Sequence, residues 1–369
     1  MLRIILTVDY EIHGNGEGSP HKLMLEPTSR LLDLLEEYNA KLTIMADVAE
    51  ILKFREYRNQ FGKDVYHYEA ITQQLKDAIS RGHDVQLHLH CSYFNSRLEN
   101  GNWIQDWLEY NFAELGTQRL NEVIRTGKEF LEQQLQPINP NYRCNVFRAA
   151  NWAMSPSKNA VRALIDNGFE IDTSVFKYGC RTGLVNFDYS SAPSELVPWR
   201  VDENDICARN ANGKLLEFPI YCERRSIASF LTILRVRRAW SSRLHKLKDQ
   251  SNTASTSNLL QSRTKGRFWP KLNWLTRKHA WKADFNQCSG RQLIFALKRC
   301  GVLYGHLKIE LPFILIGHSK LFTRLNEWSL RSFLEYVNRR QEQFAFGRFR
   351  DFDLQSLNDF AVDRETPIP

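Results

Sequence analysis

The sequence predicts an α/β fold in which short buried strands alternate with amphipathic helices around a parallel sheet or a βα barrel. Three observations predict it. Short apolar runs recur through the first half, most of them followed by helical periodicity. Two of these runs end in alternating polar triplets, Asp9-Tyr10-Glu11 and His88-Leu89-His90. After a polar interruption the pattern returns with an apolar run that ends in Gly317-His318-Ser319.

The elements follow in order. Residues 2–8 read as a first buried strand. Pro27-Thr28 opens a helix whose Leu31, Leu32, Leu34, Leu35 and Tyr38 recur at helical spacing. Residues 42–45 form a second strand. Ile71, Leu75, Ala78 and Ile79 mark a helix closed by Gly82 as its C′ residue, before a strand at 84–87 that delivers the histidines. Leu120, Val123, Ile124, Phe130 and Leu131 give a longer helix, followed by a strand at 144–147. Ser155-Pro156 reads as an N-cap followed by proline at N1, with Val161, Leu164 and Ile165 as the buried stripe. Gly168 ends that helix, and a strand begins at 169–171. Residues 180–222, with Pro193, Pro198 and Pro219, read as loops with short strands, one of them at 215–220. Residues 249–261 are polar and of low complexity. A helix at about 292–303 and a strand at 313–316 restore the pattern, and a helix, strand and helix close it.

With 369 residues, 43% hydrophobic and 25% charged, the composition is that of a globular protein. No stretch approaches the roughly 18 to 20 apolar residues of a membrane span. Met1-Leu2-Arg3 leads straight into a strand, with no secretory signal pattern, and seven scattered cysteines fit a reducing compartment. The expectation is a cytoplasmic protein. The net charge of +8 is concentrated: residues 223–284 hold fifteen Lys and Arg against three Asp and Glu. Trp240, Phe268, Trp269, Trp274 and Trp281 are interleaved there. A solvated basic face is the simplest reading. Aromatics among cations also suit an anionic membrane or a sugar polymer, and no motif supports nucleic acid.

The triplets carry the chemistry. In a strand, residues i and i+2 point the same way, so Asp9 and Glu11 share a face of their strand, and His88 and His90 share a face of theirs. Two carboxylates and two imidazoles meeting at neighbouring strand ends suit a divalent metal with a carboxylate base beside it. The C-terminal ends of strands are where open sheets and barrels place their sites. Asn15-Gly16-Glu17-Gly18 lacks the spacing and lysine of a phosphate loop and reads as a loop at the site rim. Asp47 is a pocket-lining residue or a helix N-cap. Trp103, Trp107, Trp152 and Trp199 are sugar-stacking platforms or packing residues.

On these residues the chain resembles the NodB-homology polysaccharide deacetylase superfamily, over roughly residues 2–175 and 305–350. The resemblance implies a distorted, incomplete (β/α) barrel, here one catalytic domain over 1–369 with a basic insertion at about 223–285. Thr7-Val8-Asp9-Tyr10-Glu11 is similar to the first motif, and implies Asp9 as catalytic base and Glu11 as metal ligand, with Tyr10 where the common form has a second aspartate. Gly82-His83-Asp84-Val85-Gln86-Leu87-His88 resembles the approach to the second motif. It implies His88 as a ligand; the second family histidine falls on Ser92, and His90 is the nearest substitute. Phe147-Arg148-Ala149-Ala150-Asn151-Trp152 looks like the third motif without its proline, implying Arg148 as the group that orients the base. Gly168-Phe169-Glu170-Ile171-Asp172 is similar to the segment in which an aspartate, here Asp172, supports the arginine. Leu315-Ile316-Gly317-His318 resembles the fifth motif and implies His318 as general acid.

The resemblance thus implies metal-dependent hydrolysis of an N-acyl group on a sugar of a surface glycan or its precursor. A divalent ion at Glu11, His88 and His90 would polarise the carbonyl. Zn²⁺ comes first, and Co²⁺, Ni²⁺ and Fe²⁺ also suit the donor set. Trp152, Asn151 and Asp47 are the substrate-binding candidates. The expected partner is a carbohydrate, free or lipid-linked, with a peripheral contact to anionic membrane through residues 224–282. Two alternatives stand: a hydrolase of another amide or ester, and a catalytically silent glycan- or membrane-binding protein, motivated by Ser92 and Tyr10.

Overall fold

The computed structural model describes residues 1–12, 18–99, 102–236, 277–307 and 309–354. The strands in chain order are β1 (Leu2–Tyr10), β2 (Leu42–Asp47), β3 (Asp84–Leu89), β4 (Arg97–Glu99), β5 (Asn102–Ile104), β6 (Val146–Ala149), β7 (Ile171–Asp172), β8 (Cys180–Arg181), β9 (Phe187–Asp188), β10 (Trp199–Asp202), β11 (Asp205–Arg209), β12 (Leu216–Glu217), β13 (Cys222–Arg225), β14 (His279–Lys282), β15 (Leu311–His318) and β16 (Phe344–Phe346). The described α-helices are α1 (Glu26–Glu36), α2 (Val48–Phe61), α3 (Tyr68–Ser80), α4 (Thr117–Leu135), α5 (Ser157–Asp166), α6 (Gly290–Tyr304) and α7 (Arg324–Asn338).

The main sheet runs in the order β11-β10-β12-β7-β6-β3-β2-β1-β15, with β16 also on β1. From β12 through β15 neighbouring strands are parallel, and β10 and β11 are antiparallel at one edge. Parallel strands need crossover helices, which cover the sheet and bury its strands. Accordingly β1, β2, β3 and β15 are buried almost throughout. The sheet curls. Ile220 donates its N–H to the Val175 carbonyl beyond β7, and Tyr221 donates to Ile314 of β15. The segment after β12 therefore reaches from one margin of the curled sheet to the other, giving an incomplete barrel.

Local sequence explains the element ends. Gly82 follows α3 at φ 78°, the left-handed C′ position expected of it. Ser289 with Gln292 and Thr323 with Asn326 form capping boxes at the starts of α6 and α7. Some boundaries differ from expectation. Pro156 is itself the N-cap of α5, with an extended ψ of 134°, so the helix starts one residue later than Pro at N1 implies. The strand expected at 144–147 lies at Val146–Ala149, which puts Arg148 inside β6. The strand expected at 215–220 is regular only at Leu216–Glu217, just ahead of Pro219, which has no N–H to donate, and Ile220 adds an isolated bridge to Ile314.

The basic stretch needs the largest revision. Its ends belong to the fold: β13 and β14 pair antiparallel, Trp281 is fully buried, and Asp284 bridges to Ile316 of β15. Arg225 stacks on Trp281 at 3.7 Å and pairs with Glu223. Trp240, Arg237, Arg238, Phe268, Trp269, Trp274, the 249–261 segment and residues 15–17 lie outside the described residues. Among the described residues no helix is long and apolar enough to cross a membrane.

Candidate active site

Sheet register assembles the site. Asp9 is paired with His318 across β1 and β15, Asp47 with His88 across β2 and β3, and His88 with Arg148 across β3 and β6. Residues in register share a face of the sheet, so Asp9, Glu11, His88, Arg148 and His318 project to one side at the C-terminal ends of their strands. Tyr10 projects to the other side, where its hydroxyl donates to Gln74 of α3 at 2.7 Å.

Arg148 is fully buried and its hydrogen bonds set its direction. Its Nη1 donates to Asp9 Oδ1 at 2.8 Å and to Thr7 Oγ1 at 2.9 Å, and its Nε donates to the Thr173 carbonyl at 3.0 Å. Thr7 in turn donates its hydroxyl to the Leu315 carbonyl. Burial works against the Asp9 carboxylate, but Arg148, with His88 and His318, holds it below its usual range, so it stays ionised.

The ligand atoms of Glu11, His88 and His90 all lie within 4.8 Å of one another. Glu11 Oε2 is 2.6 Å from His90 Nε2 and 3.4 Å from His88 Nε2, and makes no well-aligned hydrogen bond. His88 Nδ1 lies 2.8 Å from the Arg148 carbonyl, an acceptor, which assigns the proton to Nδ1 and turns the lone pair of Nε2 toward Glu11. Lone pairs converging on one buried point require a cation between them, or a proton. Burial disfavours the charged ring, yet Glu11, Asp9 and Asp47 raise His88 to about 9. The donor set, one carboxylate and two imidazoles, fits a divalent ion of the zinc class.

A cavity of about 200 Å³ opens onto these groups, lined by Asp9, Glu11, His88, His90, Asn151, Trp152, Gln287, His318, Lys320 and Leu321. His318 Nε2 is 3.6 Å from Asp9 Oδ2, its ring stands edge-on to Trp152, and its backbone N–H donates to Asn286 Oδ1 at 2.6 Å. Burial lowers the His318 pKa in spite of Asp9 and Glu11, so the ring is neutral at rest. Asn151 and Trp152 take consecutive left-handed conformations, φ 55° and 59°. This is the turn from which the motif proline is missing.

Two assigned residues are placed elsewhere. Asp172 does not hold Arg148. It is in register with Phe147, one residue out of phase, so it faces the opposite side, where it bonds Ser174 and Glu217. Thr173 takes the supporting role. Asp47 is 0% exposed and is not among the residues lining the cavity; its Oδ1 accepts the His90 N–H at 3.1 Å. Ser92 donates to Gln105 and lies apart from the ligand cluster, which His90 completes. Trp103 and Trp199 are buried packing residues, while Trp107 is exposed.

Sequence reasoning missed two lysines. Lys320 Nζ donates to Glu11 Oε1 at 2.8 Å and to the Ile12 carbonyl at 3.0 Å. Lys282, from the stretch read as an insertion, places Nζ 3.1 Å from the centre of the Trp152 ring and 4.3 Å from that of Phe176. Burial there lowers it to about 8, despite Asp284. The only sequence signal for Lys320 was its position two residues after His318.

No protein-family model and no curated protein matches the sequence. Solved structures do. A Parabacteroides distasonis protein provisionally named a glycoside hydrolase/deacetylase superposes with a TM-score of 0.53 at 10% identity, covering 98% of this chain and 70% of that one. A Mycobacterium smegmatis protein provisionally named a polysaccharide deacetylase gives 0.50 at 12% identity, covering 100% and 93%. The chain has the NodB-type polysaccharide deacetylase fold. In this chain the deacetylase fold takes the form of the incomplete barrel that the motif resemblance implies.

Proposed function

We propose that this protein is a metal-dependent hydrolase that removes a short acyl group, most simply acetyl, from the nitrogen of a sugar in a glycan or glycan precursor. The observation that carries this reading is the placement of an arginine-held, ionised Asp9 beside the converging Glu11, His88 and His90, with His318 across from it.

Arg148 occupies Asp9 Oδ1, which leaves Oδ2 to face the cavity and accept a proton from water. A divalent ion held by Glu11, His88 and His90 supplies, when bound, the positive charge that polarises a carbonyl and acidifies water. His318 Nε2, neutral at rest, stands next to Asp9 Oδ2, and takes the proton from there to the departing amine. At about 200 Å³ the cavity is smaller than the roughly 300 to 1,000 Å³ of sites that enclose a whole small ligand. It suits the acyl amide, with the remainder of the substrate outside.

One observation favours a second reading. The Lys320 ammonium on Glu11 can stand in for a metal in a catalytically silent glycan-binding protein. Acetate release from a panel of N-acetylated sugars, free, nucleotide-linked and lipid-linked, separates the two. Release by metal-loaded protein and none by Asp9→Asn supports the enzyme; no release from any member, with sugar binding retained, supports the binding protein. Liposome co-sedimentation at low and high salt tests the proposed membrane contact of residues 224–282.

A further inference from the structure

The left-handed turn at Asn151 and Trp152 carries more donors than the chain answers. Asn151 Oδ1 accepts from Arg181 Nη1 at 3.0 Å and from the Tyr110 hydroxyl at 3.4 Å. This fixes the amide, and its Nδ2 is left buried without an acceptor among the described residues, as is Nε1 of Trp152. Both residues line the catalytic cavity. Buried N–H groups lacking acceptors are costly in a finished core, and a bound ligand removes that cost.

Two cations flank the same turn. Arg181, exposed on the β8–β9 hairpin, touches the Asn151 side chain and forms no ion pair among the described residues. Lys282 lies against the Trp152 ring, and its ammonium has no hydrogen-bond acceptor among the described residues. Of the carboxylates nearby, Asp9 is matched by Arg148 and Glu11 by Lys320, while Asp284 acts on Lys282 through space and forms no ion pair with it. Arg181 and Lys282 thus bring positive charge that forms no ion pair among the described residues next to N–H donors that need oxygen.

We propose that the Asn151–Trp152 turn, Arg181 and Lys282 form a subsite for an anionic oxygen group, a carboxylate or a phosphate, that the substrate carries beside its N-acyl group. The inference rests on the deacylase reading and narrows it to acidic N-acyl sugars. The two residues hold successive positive φ angles where they line the cavity, the kind of backbone strain found at functional turns.

Calorimetric binding to the full-length, metal-loaded Asp9→Asn protein tests the subsite without turnover. The probes are N-acetylglucosamine, its 6-phosphate and N-acetylmuramic acid, so that neutral, phosphate and carboxylate arms are compared. At least one anionic probe should bind about tenfold more tightly than the neutral sugar, the scale of a charge-assisted hydrogen bond. Arg181→Gln and Lys282→Met should each remove most of that preference while leaving neutral-sugar affinity within about twofold. If Lys282→Met does not fold, the exposed Arg181→Gln carries the test. Equal affinity for all three probes, or a preference that survives Arg181→Gln, overturns the proposal. So does a Lys282→Met variant that weakens all probes alike, the mark of a lysine that merely props Trp152. Anionic binding without acetate release by the wild type would sink the deacylase reading and leave the subsite standing; equal kcat/KM for neutral and anionic sugars would do the reverse.

Discussion

Asp9 and His318 are register partners on adjacent parallel strands, with Oδ2 of one 3.6 Å from Nε2 of the other. The pair places an ionised base and a neutral imidazole on the same side of the cavity, and the division of labour between them is testable. Asp9→Asn should lower turnover by about 10² to 10⁴ while retaining metal. His318→Ala should also retain metal and slow hydrolysis, with an activated leaving group restoring part of the rate. Metal loss in Asp9→Asn equal to that in Glu11→Gln would mean that base and ligand are wrongly divided.

Lys320 competes for charge at the ligand cluster. Its ammonium binds Glu11 Oε1 and leaves Oε2 to the histidines. A like charge this near repels a divalent ion by a few kcal/mol at an effective dielectric of about 20. Lys320→Met should therefore tighten zinc binding by roughly tenfold, measured by competition with a chromophoric chelator. Weaker binding would show instead that the lysine orients Glu11 for the ion.

Gly317 is required by packing. A Cβ there would lie 2.2 Å from the Phe285 ring, and Phe285 precedes the Asn286 that holds the His318 N–H. Gly317→Ala should cost about 1 to 3 kcal/mol of stability. It should also lower kcat more than it weakens metal binding, because His318 is displaced and Glu11 is not. Unchanged kcat would separate His318 from this support.

His83 gives the fold a pH dependence remote from the site. Burial, reinforced by Lys41 and Arg81, lowers its pKa from 6.5 to about 4, and its Nδ1 accepts the Leu42 N–H. The unfolded chain binds this proton below 6.5 and the folded chain only below about 4. Stability from this group is complete above pH 6.5 and lost as pH falls toward 4, about 3 kcal/mol in all. Between pH 7 and 4 the wild type should lose about that much more unfolding free energy than His83→Gln. Parallel denaturation curves for the two proteins across that range would contradict it.

Strand parity made much of the site legible in advance. Alternation at 9 and 11 and at 88 and 90 is enough to place two side chains together on each strand, and the apolar runs before them are enough to make those segments strands. What escaped was register and distance. A one-residue phase separates Asp172 from Thr173, and no local pattern reports it. Asp47 looked like a pocket residue because it ends a strand, but the His90 backbone covers it. Lys282 and Lys320 reach the site from elements remote in sequence, and Lys282 lay in a stretch whose charge read as a solvated surface. Its burial against Trp152 depends on β14 pairing with β13, which the composition hid.

The convergence of Glu11, His88 and His90 is the centre of this account, and metal content tests it most directly. Protein equilibrated with Zn²⁺ or Co²⁺, then dialysed and analysed by plasma mass spectrometry, should retain one ion per chain. Glu11→Ala and His88→Ala should retain none, and Asp9→Asn should match the wild type. A wild-type protein that holds no ion, or a Glu11→Ala variant that holds as much as the wild type, would contradict the metal centre and the hydrolysis built on it.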